Sequence, residues 1–124
     1  MTTQEIANRL VNLCREGKYE QVYAELFSPE IESKEPVANG EWETSKGFDG
    51  LKEKAAKWHD MVEEMKDGKI SDPQVAGDFF SCSWESQVKY KGTEDFVPMD
   101  EIAVYQVKDG KVILEQFFYP VPEQ

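Results

Sequence analysis

A chain of 124 residues supports one domain with one hydrophobic core and is too short for two. Its 25 acidic against 14 basic residues give a net charge of −11, which repels phosphate backbones and anionic lipid, so neither nucleic acid nor membrane is an expected partner. With 40% hydrophobic and 31% charged residues, no apolar run of membrane-spanning length and no basic, apolar leader, it reads as a soluble protein with an expected cytoplasmic location.

Ile6, Leu10, Leu13 and Cys14 recur at helical spacing, which predicts a first helix over Thr3 to Glu16, capped by Thr3 and stopped at Gly17. A second helix is expected from Lys18 to Phe27, with Tyr19, Val22, Tyr23, Leu26 and Phe27 apolar, ended by Ser28-Pro29. Ile31 to Val37 reads as a short extended run, and Ala38 to Gly47 as a loop or weak edge strand around Trp42. Phe48 to Lys66 is the strongest helical pattern. Leu51, Ala55, Trp58, Val62 and Met65 form its stripe, and Gly68 is its expected stop.

After Lys69 the period changes to that of strands. Pro73 suits an edge or strand start, and Gly77-Asp78 a turn. In the run Phe79 to Lys91, Cys82, Trp84, Val88 and Tyr90 share one face. Two further β-rich runs flank Asp109-Gly110, and Pro120 and Pro122 close the sheet. Helices followed by a run of meandering strands make an α+β fold, with a curved antiparallel or mixed sheet wrapped on three helices from the N-terminal half.

The chemistry-bearing residues are sparse. Cys14 and Cys82 form no CxxC motif, and His59 has no third ligand near it, so no metal and no cofactor is expected. The carboxylates are more informative, because Glu101 and Glu115 sit among aromatic strand residues. If Lys108-Asp109-Gly110 makes a type I turn with a bulge at Gly110, Ala103 faces Glu115 and Glu101 faces Phe117. Then Glu101, Ala103, Glu115, Phe117 and Tyr119 share a face. A two-residue turn would move Glu101 to the other face. The bulged turn is the expectation. Two neighbouring carboxylates beside aromatics repel, and burial raises a carboxyl pKa toward the range of a general base.

Gly47-Phe48-Asp49-Gly50-Leu51-Lys52, Val75-Ala76-Gly77-Asp78-Phe79-Phe80 and Val104 to Val112 resemble segments of the nuclear transport factor 2-like superfamily, and within it of SnoaL-like domains, over essentially residues 1–124. That resemblance implies a cone-shaped fold, also called cystatin-like. It hosts isomerases, cyclases, dehydratases and non-enzymatic binding domains, so fold alone does not assign activity. Glu35-Pro36 matches in type the proton-moving acid of the ketosteroid isomerases. Their protonated aspartate corresponds to Ala103, and their first-helix tyrosine has no counterpart.

The candidate catalytic residues are therefore Glu35, Glu101 and Glu115, with Glu115 or Glu35 as base and Tyr119 as hydrogen-bond donor. Trp84, Phe117 and Tyr119 are candidate walls of a site for a small hydrophobic or aromatic molecule. Trp58 and His59 are further wall candidates, although each reads first as an ordinary helix residue, and Trp84 fits plain core or a dimer contact at least as well. Apolar residues on both faces of the sheet predict a homodimer. The alternatives are a non-catalytic binding domain and a structural dimerisation module.

Overall fold

The computed structural model describes residues 1–121. Pro122, one of the two expected sheet terminators, lies outside the described residues. Helix α1 spans Thr3–Arg15. Its cap is Thr2, one residue earlier than predicted: the Thr2 side chain accepts from the Glu5 N–H, and the Glu5 carboxylate accepts from the Thr2 N–H. This reciprocal pair satisfies two of the donors that a helix start leaves open. Helix α2 is Tyr19–Leu26.

Strand β1 starts immediately, at Phe27, and runs to Pro36. It is longer than the expected run because Pro29 is tolerated near a strand start. Strand β2, Trp42–Lys46, pairs with it antiparallel, with Pro36 opposite Trp42. Gly47, at φ 67°, turns the chain into helix α3, Gly47–Met61. A Cβ on Gly50 would stand 3.2 Å from the Ser45 backbone, so this close strand–helix approach suits glycine.

Helix α3 is shorter than its periodicity suggested. From Val62 the chain is strand β3, Val62–Ile70, paired antiparallel with β5. Val62 and Met65 thus leave the helical stripe, and Gly68 sits at a register shift in β3 rather than at a helix end. Ladder bonds to β5 outweigh the modest intrinsic preference of a mixed segment. Strands β4 (Gln74–Ala76), β5 (Phe79–Tyr90), β6 (Val97–Lys108) and β7 (Lys111–Phe118) complete the chain.

The sheet has seven strands in the order β2-β1-β7-β6-β5-β3, with β4 on β5. Among the described strands only β1 and β7 pair in parallel. Three helices thus lie on a curved, unclosed mixed sheet. The core joins Ile6, Leu10, Leu13 and Leu26 of the helices to Ile31, Phe80, Tyr105 and Val112 of the sheet. Phe80 and Tyr105 stack with ring centroids 4.7 Å apart. None of the described helices is long and apolar enough to cross a membrane.

Only Leu51 of the α3 stripe is buried; Ala55 and Trp58 are half-buried. The helix leans on β1, β2 and β3 and stands off the central strands. A concavity of about 1600 Å³ lies beneath it, open at the mouth.

Candidate functional site

The β6–β7 hairpin decides what faces this concavity. Asp109 and Gly110 both have positive φ, 52° and 76°, and Lys108 pairs with Lys111. This is the two-residue turn, not the expected three-residue one. The extra residue instead enters β7 at Ile113, where the register shifts between Val107↔Val112 and Gln106↔Leu114. A bulge adds one residue to one strand and restores the alternation. Glu115 therefore shares the inward face with Glu101, although the turn is the type that would otherwise have put them on opposite faces. Tyr105, not Ala103, stands opposite Glu115, and Ala103 stands opposite Phe117.

Cross-strand pairing orders the inner face in rows. Phe80, Tyr105, Glu115 and Ser33 form one row across β5, β6, β7 and β1. Cys82, Ala103 and Phe117 form the next, and Trp84 with Glu101 the one nearer the mouth. Glu35, on the same face of β1 as Ser33, meets Tyr119 just beyond β7: the Tyr119 hydroxyl donates to Glu35 Oε1 at 2.6 Å.

The centre of the cluster is a residue that the sequence reading missed. Lys54 of α3 reaches down so that its Nζ lies 2.7 Å from Glu35 Oε2, donates to Ser33 Oγ at 2.6 Å and stands 3.7 Å from Glu115 Oε1. The same ammonium lies 4.5 Å from the centre of the Phe117 ring, a cation–π distance. Ser33, fully buried, donates its own hydroxyl hydrogen bond to Glu115 Oε1 at 2.8 Å. The signal was available: Lys54 falls three residues after Leu51 and four before Trp58, a charge inside the apolar stripe. Ser33 follows from strand alternation between Ile31 and Glu35.

The three predicted carboxylates thus share one cavity and differ in circumstance. Glu35 and Glu115 are held by Lys54. Glu101 makes no ion pair or hydrogen bond with the described residues, although it lines the same cavity. Burial pushes its carboxyl up to about 7, the charges of Glu35 and Glu115 add to this, and Lys54 opposes it. Glu115 is also raised, chiefly by burial, against the pull of Lys54 and Ser33. Tyr119 is raised by burial and by its bond to Glu35, so it stays a protonated donor.

The wall candidates all border the concavity. Trp84 faces inward and stacks on Tyr19 at 6.3 Å, and Trp58 meets Tyr90 edge-on at 6.2 Å. His59 lies exposed at the rim. Cys14 and Cys82 are buried, and burial raises their thiols to about 12 and about 11, which leaves both as unreactive neutral groups.

The SnoaL-like domain family model matches residues 1–119. The chain belongs to the SnoaL-like family. A Mesorhizobium loti protein named for the SnoaL-like polyketide cyclases is 32% identical to this SnoaL-like domain, over 96% of this chain and 100% of that one, with a TM-score of 0.85. TerC, co-crystallised with polyporic acid, shares the fold at 17% identity and a TM-score of 0.74, covering 95% of this chain and 91% of TerC. A Xanthomonas campestris protein of unknown function with a cystatin-like fold does so at 17% identity and 0.75, covering 95% and 90%. No curated protein matches the SnoaL-like chain.

Proposed function

We propose that this SnoaL-like domain binds a small hydrophobic or aromatic molecule in the concavity and moves a proton on it without a cofactor, in an isomerisation, cyclisation or dehydration. The observation that carries the reading is Glu101: a carboxyl in the cavity with no partner among the described residues, poised at about 7. A base is most effective with a pKa near the working pH, because it is then both available and strong enough. Glu101 therefore replaces Glu115 and Glu35 as the preferred base, since those two are engaged by Lys54. Trp84 and Phe117 supply apolar wall, and Tyr119 a neutral donor beside Glu35.

The test begins with a thermal-shift screen of small aromatic ketones and phenols, because a ligand of the native state raises the melting temperature. Ketone hits are then incubated in D2O. Exchange at the carbon next to the carbonyl, lost in Glu101→Gln, supports proton transfer. Hits that bind and never exchange would reduce the reading to a binding domain. That second reading is favoured by Ala103, which puts a methyl group where related isomerases carry a neutral acid.

The reading includes a second copy of the chain on the outer face of the sheet. There Trp42 and Phe118 meet edge-on at 5.1 Å, and Phe118 lies opposite Ile102; all three are exposed. An exposed apolar cluster on a sheet is a common association surface.

A further inference from the structure

Three carboxylates of the inner sheet face, Glu35, Glu101 and Glu115, share the cavity with one ammonium, that of Lys54. The other charged side chains around the cavity are balanced, acidic against basic. Lys54 is already engaged: Glu35 at 2.7 Å, Ser33 at 2.6 Å and Glu115 at 3.7 Å surround its Nζ, which also lies over the Phe117 ring. Glu101 has no ion pair or hydrogen bond with the described residues. Among those residues the one buried side-chain polar atom without a partner is Trp84 Nε1. The Glu101 oxygens are therefore open to the cavity and not sealed in its wall.

Glu101 stands directly opposite Trp84 of β5. Side chains paired in this way have Cβ atoms about 4.5–5.5 Å apart. The Trp84 ring lines the cavity and stacks on Tyr19. Because its Nε1 is buried, Trp84 offers a ligand its ring and not its N–H. The pair is thus a carboxylate beside an aromatic ring. Lys54 is held in the same combination one row deeper, with Phe117 as the ring. There the chain supplies its own cation; at Glu101 and Trp84 no side chain among the described residues does.

We infer that Glu101 and Trp84 form a subsite for an organic ammonium group, so that the cavity takes a hydrophobic amine. A carboxylate and an aromatic face both attract a cation, and both do so more strongly where water is partly excluded. Lys54 opposes a second ammonium only weakly, because Glu35 matches its charge at 2.7 Å. A metal ion fits less well. No group of three or more His, Cys, Asp or Glu among the described residues could hold one, and an aromatic wall supplies no oxygen ligands. The net charge of −11 draws cations toward the protein and repels anions. Trp58 and Tyr90, meeting edge-on, supply apolar wall for the body of the ligand. An ammonium here also holds Glu101 ionised against the burial that raises it to about 7, and the ionised form is the one a base needs. The inference rests on the concavity being a ligand site, as proposed above, and not on Glu101 acting as a base.

The experiment measures biphenyl-4-ylmethanamine and biphenyl-4-ylmethanol by equilibrium dialysis at pH 8, where Glu101 is ionised and the amine keeps its proton. The two compounds have the same heavy-atom shape and both donate a hydrogen bond, so charge is what separates them. The wild-type protein is expected to bind the amine about tenfold more tightly, through a charge-assisted bond to a partly buried carboxylate. Glu101→Gln, which keeps the size of the side chain, should bring the ratio to about twofold or less. Trp84→Leu should bring it to about threefold. Each ratio is taken within one variant, so a general loss of packing cancels.

Equal binding of the two compounds by the wild type, or a preference for the alcohol, overturns the ammonium subsite and leaves the cavity reading intact. A preference for the amine that survives Glu101→Gln overturns it too, since the general field of an acidic protein would then suffice. So does a ratio that Trp84→Leu leaves unchanged, because the subsite is the pair and not the carboxylate alone. If neither compound binds, the subsite and the ligand reading fall together.

Discussion

Glu101 and Lys54 face the same cavity without forming an ion pair. The ammonium is committed to Glu35 and Ser33, with Glu115 behind them, and reaches Glu101 only through space. One cation thus serves two carboxylates closely and leaves the third to titrate near neutrality.

The pH dependence of stability follows from that arrangement. Glu101 is raised from an ordinary 4.5 to about 7 in the folded state. Between those values the folded chain holds a proton that the unfolded chain has released. The associated stability is complete below about 4.5 and is lost as pH rises through about 7. Denaturant melts of Glu101→Gln and wild type should agree near pH 4 and diverge by about 2 kcal/mol at pH 8, with the variant more stable. An NMR titration of the Glu101 carboxyl that returned an ordinary value would overturn both this expectation and the proposed base.

Replacing Lys54 by Met should leave Glu35 and Glu115 facing each other without compensation. Breaking a fully buried pair costs about 3–5 kcal/mol; here about 2–3 kcal/mol is expected, because Lys54 and Glu35 keep part of their surface in water. The loss should be greater at pH 8 than at pH 5, where protonation relieves the repulsion. Equal losses at the two pH values would mean that Lys54 acts mainly through its aliphatic stem.

On the outer face, Ile102→Lys sets a charge opposite Phe118 at the middle of the apolar cluster. Exposed on both sides of the substitution, the fold should change by no more than about 0.5 kcal/mol. Sedimentation should report a dimer in the wild type and a monomer in the variant. A wild-type monomer at high concentration would remove the second copy from the proposal.

At the turn, Gly110 has φ 76° and nothing near its Cβ position, so Gly110→Ala tests backbone conformation alone. A loss of about 1 kcal/mol in a denaturant melt is expected. No loss would indicate that the hairpin can move to another turn, and the rows that bring Glu101 and Glu115 together would then be less firmly set.

Much of the architecture was legible in the chain itself. Alternation in Phe79–Tyr90 separated Cys82, Trp84 and Val88 from Ser81, Ser83 and Glu85, because a strand presents its side chains with period two whatever lies around it. The first two helices, the position though not the type of the Asp109-Gly110 turn, and the SnoaL-like resemblance were likewise legible in the sequence. The three carboxylates could be named because charge among aromatics is conspicuous in any sequence.

What tertiary structure decided was everything that depends on a distant partner. Val62 and Met65 continued a helical stripe on paper, yet they pair with β5, since ladder bonds are worth more than a weak local preference. Glu115 shares the inner face with Glu101 because of a bulge at Ile113 that no local pattern announces. The place of Lys54 inside the apolar stripe pointed it inward, but its partners were fixed only when α3 was held off the central strands. Its ammonium then lay over Phe117 and between Glu35 and Glu115, residues brought from two other strands. The division of the carboxylates into two that are bound and one that is free therefore has no sequence signature. It is a matter of distances across the fold, and the chemistry proposed for Glu101 depends on them.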